Sequence, residues 1–221
     1  MDWVPIDTGP DVLGRLAFYY SSQDSSLPVR AVNKRWDNKA DPNVETATWG
    51  LFSTCMPSTR KGIVERGDSF LFFFTNWKGE RRVTGYYELG WYVQTGIRVR
   101  DQRGTLAFPD LAIRAKKVRF VEDGPILRGV NSKASKIAPK LLSKGELSGY
   151  GPRESTQANP QLSALIKSEL DRRVDVTKDY VKEIHALEDE NLESTGFKYP
   201  SWRRKDGFNS RAMEDFVNWK S

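Results

Sequence analysis

Histidine and cysteine each occur once in the 221 residues, as His185 and Cys55. No disulfide can close within such a chain, and a zinc site built from several cysteines and histidines is excluded. Catalysis by a nucleophile and a histidine base would have to run through His185, which sits among charged neighbours in the helical pattern of residues 181–188. A histidine in that setting reads as a surface or half-buried helical side chain. Cys55 follows a strand-like stretch in a polar segment, with no second ligand or base beside it, and reads as a small loop residue. The phosphate-cradling G-x-x-x-x-G-K-[ST] loop, the G-x-G-x-x-G turn and the H-E-x-x-H zinc helix are also absent. P-loop and dinucleotide chemistry are therefore disfavoured, and neither a cofactor nor a metal is expected, although the 29 acids leave a carboxylate-only metal site open.

Long apolar runs are missing as well. No stretch approaches the ~18 consecutive apolar residues of a membrane span, and residues 1–10 lack the charged-then-apolar order of a signal peptide. A cytoplasmic protein without a membrane partner is the expectation.

What the chain does have is positive charge in one region and aromatic side chains in another. The net charge is +6. Residues 1–100 carry 13 Lys and Arg against 11 Asp and Glu, residues 101–150 carry 10 against 5, and residues 151–221 carry 12 against 13. Between Gly124 and Gly145 lie Arg128, Lys133, Lys136, Lys140 and Lys144 with no acid among them. That is the footprint of a polyanion site, and equally the composition of a solvated loop.

Residues 13–20 and 46–52 read as short strands, 53–62 as a polar loop and 63–68 as a turn built on Gly67 and Asp68. Residues 70–74, Phe-Leu-Phe-Phe-Phe, are too short for a helix and read as a strand buried on both faces. After a turn at 76–80 comes a strand whose alternation places Val83, Gly85, Tyr87, Leu89, Trp91 and Val93 on one side. Gly85 and Gly90 within it call for a bulge, a bend or a close backbone approach. A further strand is expected at 117–121, after a connection at 107–115. Beyond Gly124 the chain turns loop-rich to Asn159, with a short helix around 139–142. From Pro160 two apolar stripes appear, Leu162, Leu165, Ile166 and Leu170, then Tyr180, Val181, Ile184 and Leu187, with Asp175 or Thr177 as a cap for the second helix. A last helix is expected near 210–219. The fold class is α+β, divided into a curved sheet or barrel (1–125), a basic segment completing or flanking it (126–159) and a helical C-terminal extension (160–221).

Six of the aromatic residues, Trp49, Trp77, Tyr86, Tyr87, Trp91 and Tyr92, fall within 44 positions that also hold Arg60, Lys61, Arg66, Lys78, Arg81 and Arg82. Flat rings interleaved with cations suit nucleic acid, because rings stack bases while cations hold phosphate. Trp49, Trp77 and Trp91 are the candidate walls of a base pocket, with Ser53 and Thr54 as readers of the base edge. Arg60, Lys61, Arg66, Arg82, Lys133, Lys136 and Lys140 are the candidate phosphate contacts. The same aromatics also suit ordinary core packing.

The order of a strand, a basic segment, Arg66-Gly67-Asp68, the strand 70–74, a hairpin and Arg82-Val-Thr-Gly-Tyr-Tyr87 resembles the core of the PUA-like superfamily, which includes the EVE, YTH and ASCH domains. Residues 53–62 taken with 110–120 look more narrowly like the prokaryotic nucleotide modification associated domain family. The resemblance covers roughly residues 46–121. It implies a small bent β-barrel with flanking helices, binding a modified or flipped-out base beside DNA modification or restriction systems, with DNA rather than RNA as partner. Two rivals stand beside this non-enzymatic reader. One is a base- or nucleotide-modifying enzyme using Thr54, Cys55 and Glu65 or Asp68. The other is an interaction module in which residues 160–190 bind a protein or form a homodimer.

Overall fold

The computed structural model describes residues 3–32, 42–50, 56–100, 107–128, 140–141, 146–148 and 155–196. Its architecture is α+β, an open mixed sheet with helices on both faces. The sheet is organised around β4 (Phe70–Trp77), in which every residue except Asn76 is buried. Leu71 and Phe73 point into one core, while Phe70, Phe72 and Phe74 point into a second on the opposite face. The continuous apolar run follows from this, since a strand covered on both sides has no polar face to present.

The covers are α2 (Pro160–Asp171) and α3 (Thr177–Thr195). Leu162, Ile166 and Leu170 of α2 close the second core, and Tyr180 and Ile184 of α3 close the first, where the Tyr180 ring lies 4.5 Å from that of Phe120. The segment that the sequence sets apart as an extension thus supplies one wall of each core. α2 starts at a side-chain cap, and α3 follows Val176, with Asp175 just ahead of it bonding the first turn. Asn159 accepts from the Leu162 amide at 2.8 Å ahead of Pro160, and Asp175 accepts from the Thr177 amide at 3.0 Å.

β4 pairs in parallel with β2 (Gly14–Phe18), which carries β10 (Ser155–Ala158) on its outer edge. On its other side β4 meets β5 (Glu80–Arg100), the longest strand described, antiparallel to it. β5 also pairs with β6 (Ala107–Phe120) and with the short β1 (Val4–Pro5), while β6 carries β3 (Thr48–Trp49). β7 (Ile126–Arg128) continues the sheet past the end of β6, joined by β8 (Lys140–Leu141) and β9 (Glu146–Ser148).

Several local expectations are corrected. Residues 57–66 form a helix, α1 (Pro57–Arg66), where the sequence suggested loop and turn. Its Ser, Thr and Gly content is that of a loop, yet Pro57 presets the first turn and Gly67 ends the helix in the left-handed region at φ 69°. Residues 107–115 are strand rather than connection, because the far half of β5 pairs with them. Lys140–Leu141 is strand where a helix at 139–142 was expected, its partner being β9. The helix expected near 210–219 lies outside the described residues.

The even alternation expected over residues 83–93 of β5 is broken twice. Val83 pairs with Phe74 and Gly85 with Phe73, leaving Thr84 as an extra residue. Leu89 pairs with Ala115 and Trp91 with Arg114, leaving Gly90 as another. Each bulge flips the face on which the following residues point. Val83 therefore lies in the second core, opposite Tyr87 and Leu89, and Trp91 leaves the Leu89 face while Tyr92 takes its place. A Cβ on Gly85 would stand 2.5 Å from the Arg119 carbonyl oxygen and 2.7 Å from the Phe120 ring, the close approach that a glycine in mid-strand signals.

Candidate nucleic-acid interface

The Gly67-Asp68 pair earns its place structurally. Gly67 terminates α1, and the buried Asp68 carboxylate receives Arg15 Nε at 3.1 Å and Arg66 Nε at 2.6 Å. Burial pushes the Asp68 carboxyl upward, and the two guanidinium groups oppose that push. Arg66 also donates to the carbonyls of Gly14 and Ala158 at 2.7 and 3.2 Å, so its guanidinium binds the chain to itself. Asp68 and Arg66 are thus a clasp between α1, β2 and β10. Glu65, the other acid considered for catalysis, is exposed and paired with Lys61 at 3.3 Å.

The expected pocket walls are not brought together. Trp49 is buried in the first core, with the guanidinium of Arg60 5.9 Å from its ring centroid. Arg60 is itself fully buried and occupies the space that a Cβ on Gly50 would need, so no surface of it faces a phosphate. Trp77 is buried at the far end of the β4–β5 hairpin, with Lys78 Nζ 3.9 Å from its ring centroid. Trp77 pairs with Glu80, and the eleven-residue step along β5 from Glu80 to Trp91 spans roughly 30 Å at a strand's rise per residue. One base cannot reach both rings. Trp49 and Trp91 are separated differently: Trp49 pairs with Ile113, which pairs with Tyr92, so Trp91 stands on the opposite sheet face.

Among the proposed phosphate contacts, Lys61 is exposed, and Arg82 is largely covered and ion-paired with Glu80. Lys140 is placed in β8 by its backbone. Ser53, Thr54, Cys55, Lys133 and Lys136 lie outside the described residues. His185 lies half-buried on α3. The apolar stripes of α2 and α3, considered as a partner surface, are directed into the two cores. Among the described residues no helix is long and apolar enough to cross a membrane.

A different aromatic and cationic group forms at the edge of the sheet. β1 pairs Val4 with Tyr92 and Pro5 with Trp91, bringing Trp3 alongside the middle of β5. The guanidinium of Arg114 lies 5.9 Å from the ring centroid of Trp3 and 5.9 Å from that of Trp91. All three side chains are half-exposed. Attraction between guanidinium and indole faces holds such a group together with its outer surface open. Past it, Gln94 and then Arg98–Arg100 of β5 pair with β6 alone among the described residues, Arg98 opposite Pro109 and Arg100 opposite Ala107. A two-stranded ribbon carrying two arginines thus leads away from the stack. Lys117, exposed, and Lys116 follow Arg114 along β6.

Sequence reasoning named Trp91 and missed Trp3 and Arg114. Trp3 is remote in the chain and has no periodic context, and Arg114 was legible only as one cation in Arg114-Ala-Lys-Lys-Val-Arg119. The chain matches no protein-family model, no curated protein and no solved structure.

Proposed function

We propose that this protein is a non-catalytic nucleic-acid reader, a PUA-like bent sheet that binds DNA at an unstacked or modified base, in the setting of DNA modification or restriction. The observation that carries the reading is the half-exposed stack of Trp3, Arg114 and Trp91 at the root of the β5–β6 ribbon. An indole face backed by a guanidinium offers a base ~1–3 kcal/mol of stacking, and the cation neutralises a neighbouring phosphate. Arg98 and Arg100 in the ribbon, Lys116 and Lys117 beside the stack, and the basic residues between Gly124 and Gly145 supply the sequence-independent grip. The base platform moves, in this reading, from the expected Trp49–Trp77–Trp91 pocket to Trp91 with Trp3.

The test is fluorescence anisotropy with labelled single-stranded and duplex DNA and RNA, plain and carrying modified bases, at 50 and 200 mM salt. Binding should weaken steeply with salt, and Trp91→Ala and Arg114→Ala should each weaken it about tenfold with little change in thermal stability. Salt-independent affinity, no binding to any oligonucleotide, or undiminished binding by both variants would overturn the reading.

A further inference from the structure

A cleft of about 700 Å³ opens between α2 and the sheet. Its size is that of a small-molecule site, for which ~300–1,000 Å³ is usual. Glu88 and Lys116 line it from the sheet, and Lys167, Asp171 and Arg172 from α2, over an apolar floor at Phe70. Three cations face two carboxylates there, leaving the lining with a single positive charge in excess.

These charges are held in place before any ligand arrives. Lys116 Nζ lies 3.0 Å from Glu88, while Lys167 is ion-paired with Asp171 and 5.8 Å from the ring centroid of Tyr86. Asp171 also accepts from the Tyr86 hydroxyl at 2.8 Å and faces Arg119 at 3.8 Å. Ammonium groups on opposite walls suit a compact dianion, whose oxygens can share them with the carboxylates they already pair with. The carboxylates beside them remain acceptors, and need a ligand that brings donors.

We propose that this cleft binds a phosphorylated sugar, mononucleotides included. The phosphate lies between Lys116 and Lys167 with Arg172 at the mouth, hydroxyl groups donate to Glu88 and Asp171, and the less polar edge rests on Phe70. The site goes beyond the nucleic-acid reading: Lys116 is shared with that reading's phosphate contacts, but Trp3, Arg114 and Trp91 contribute nothing to the lining.

Isothermal titration of the full chain with ribose 5-phosphate, adenosine 5′-monophosphate and inorganic phosphate tests the site. Saturable binding of the first two, at least tenfold tighter than inorganic phosphate and lost at least tenfold in the Lys116→Gln/Lys167→Gln double variant, is expected. Arg172, whose side chain is 69% exposed, pairs with Glu169 at 2.8 Å; Arg172→Gln keeps an amide donor for that carboxylate and should weaken both ligands severalfold. Equal affinity for the two ligands identifies a sugar-phosphate site, and a tenfold preference for the nucleotide a mononucleotide site. Absence of saturable binding, no advantage over inorganic phosphate, or affinity unchanged in all the variants would overturn the proposal, whatever the outcome with Trp91→Ala.

Discussion

The guanidinium of Arg30 donates to the carboxylate of Glu188 at 2.8 Å, joining two side chains 158 positions apart that are both removed from solvent. Glu45 accepts from the same nitrogen at 2.9 Å, so α3 is fastened to the loops beside β2 by a cation between two buried carboxylates. Removing one partner of a buried ion pair leaves charge that is neither hydrated nor compensated, typically costing ~3–5 kcal/mol. Arg30→Met should lower stability by about that amount in urea denaturation. Lys182→Ala, at an exposed pair on the same helix, should change it by no more than about 0.5 kcal/mol. Similar small effects from both would show that the buried triad does not hold α3 in place.

Gly85→Ala tests the bulged region of β5. Its new methyl meets a backbone carbonyl of β6, which cannot swing aside as a flexible side chain would. Overpacking of this kind costs ~1–3 kcal/mol, and the thermal midpoint should fall accordingly. Gly79→Ala is a useful contrast, because nothing lies within 4 Å of a Cβ there and only its φ of 77° is unfavourable. The crowding at Gly85 is absent from solution if Gly85→Ala proves the milder change.

Tyr86 and Asp171 predict a pH dependence. Burial pushes the Tyr86 phenol well above its ordinary range, with Asp171 adding to that, so Tyr86 remains a donor. Burial also acts to raise Asp171, but hydrogen bonds from Lys167 and Tyr86, with the ammonium charges nearby, outweigh it and hold the carboxyl below its ordinary value. A depressed folded-state value gives stability that is present above the unfolded value and lost as pH falls through the folded one, here below about pH 4. Tyr86→Phe should therefore cost about 1 kcal/mol at pH 7, with the gap from wild type narrowing on acidification below pH 4. Denaturation curves from pH 3 to 7 measure it, and a constant gap would count against the pair.

The two sheet-face tryptophans should separate by assay. Trp49→Ala empties a core position and should destabilise the chain by ~3–5 kcal/mol. Trp91→Ala removes a half-exposed ring and should spare most of the stability while reducing oligonucleotide affinity. The assignment of roles fails if Trp49→Ala leaves thermal stability unchanged.

The sequence by itself determined those features whose causes are local. A five-residue apolar run could only be a strand covered on both faces, apolar stripes at helical spacing became α2 and α3, and glycines at 85 and 90 marked a strand that bends. It also carried Asp175, one of two candidates at the start of α3, because bonds to a helix's first turn act over two or three residues. What it could not carry was the effect of one extra residue on parity. The bulges at Thr84 and Gly90 reversed the faces of Val83 and Trp91, and alternation counted through them placed both on the wrong side.

Only the tertiary structure decided which rings are core and which are surface, since Trp49, Trp77 and Trp91 are chemically alike and differ in what packs over them. The same is true of the cations. Arg60 is buried against Trp49 and Arg66 is tied to Asp68 and two backbone carbonyls, whereas Arg114 is left half-exposed between Trp3 and Trp91, because strand pairing brings residue 3 beside residue 91. Composition fixes how many charges and rings a chain carries. Where they face is set by contacts between distant segments, and here those contacts move the candidate interface from the expected pocket to the edge of the sheet.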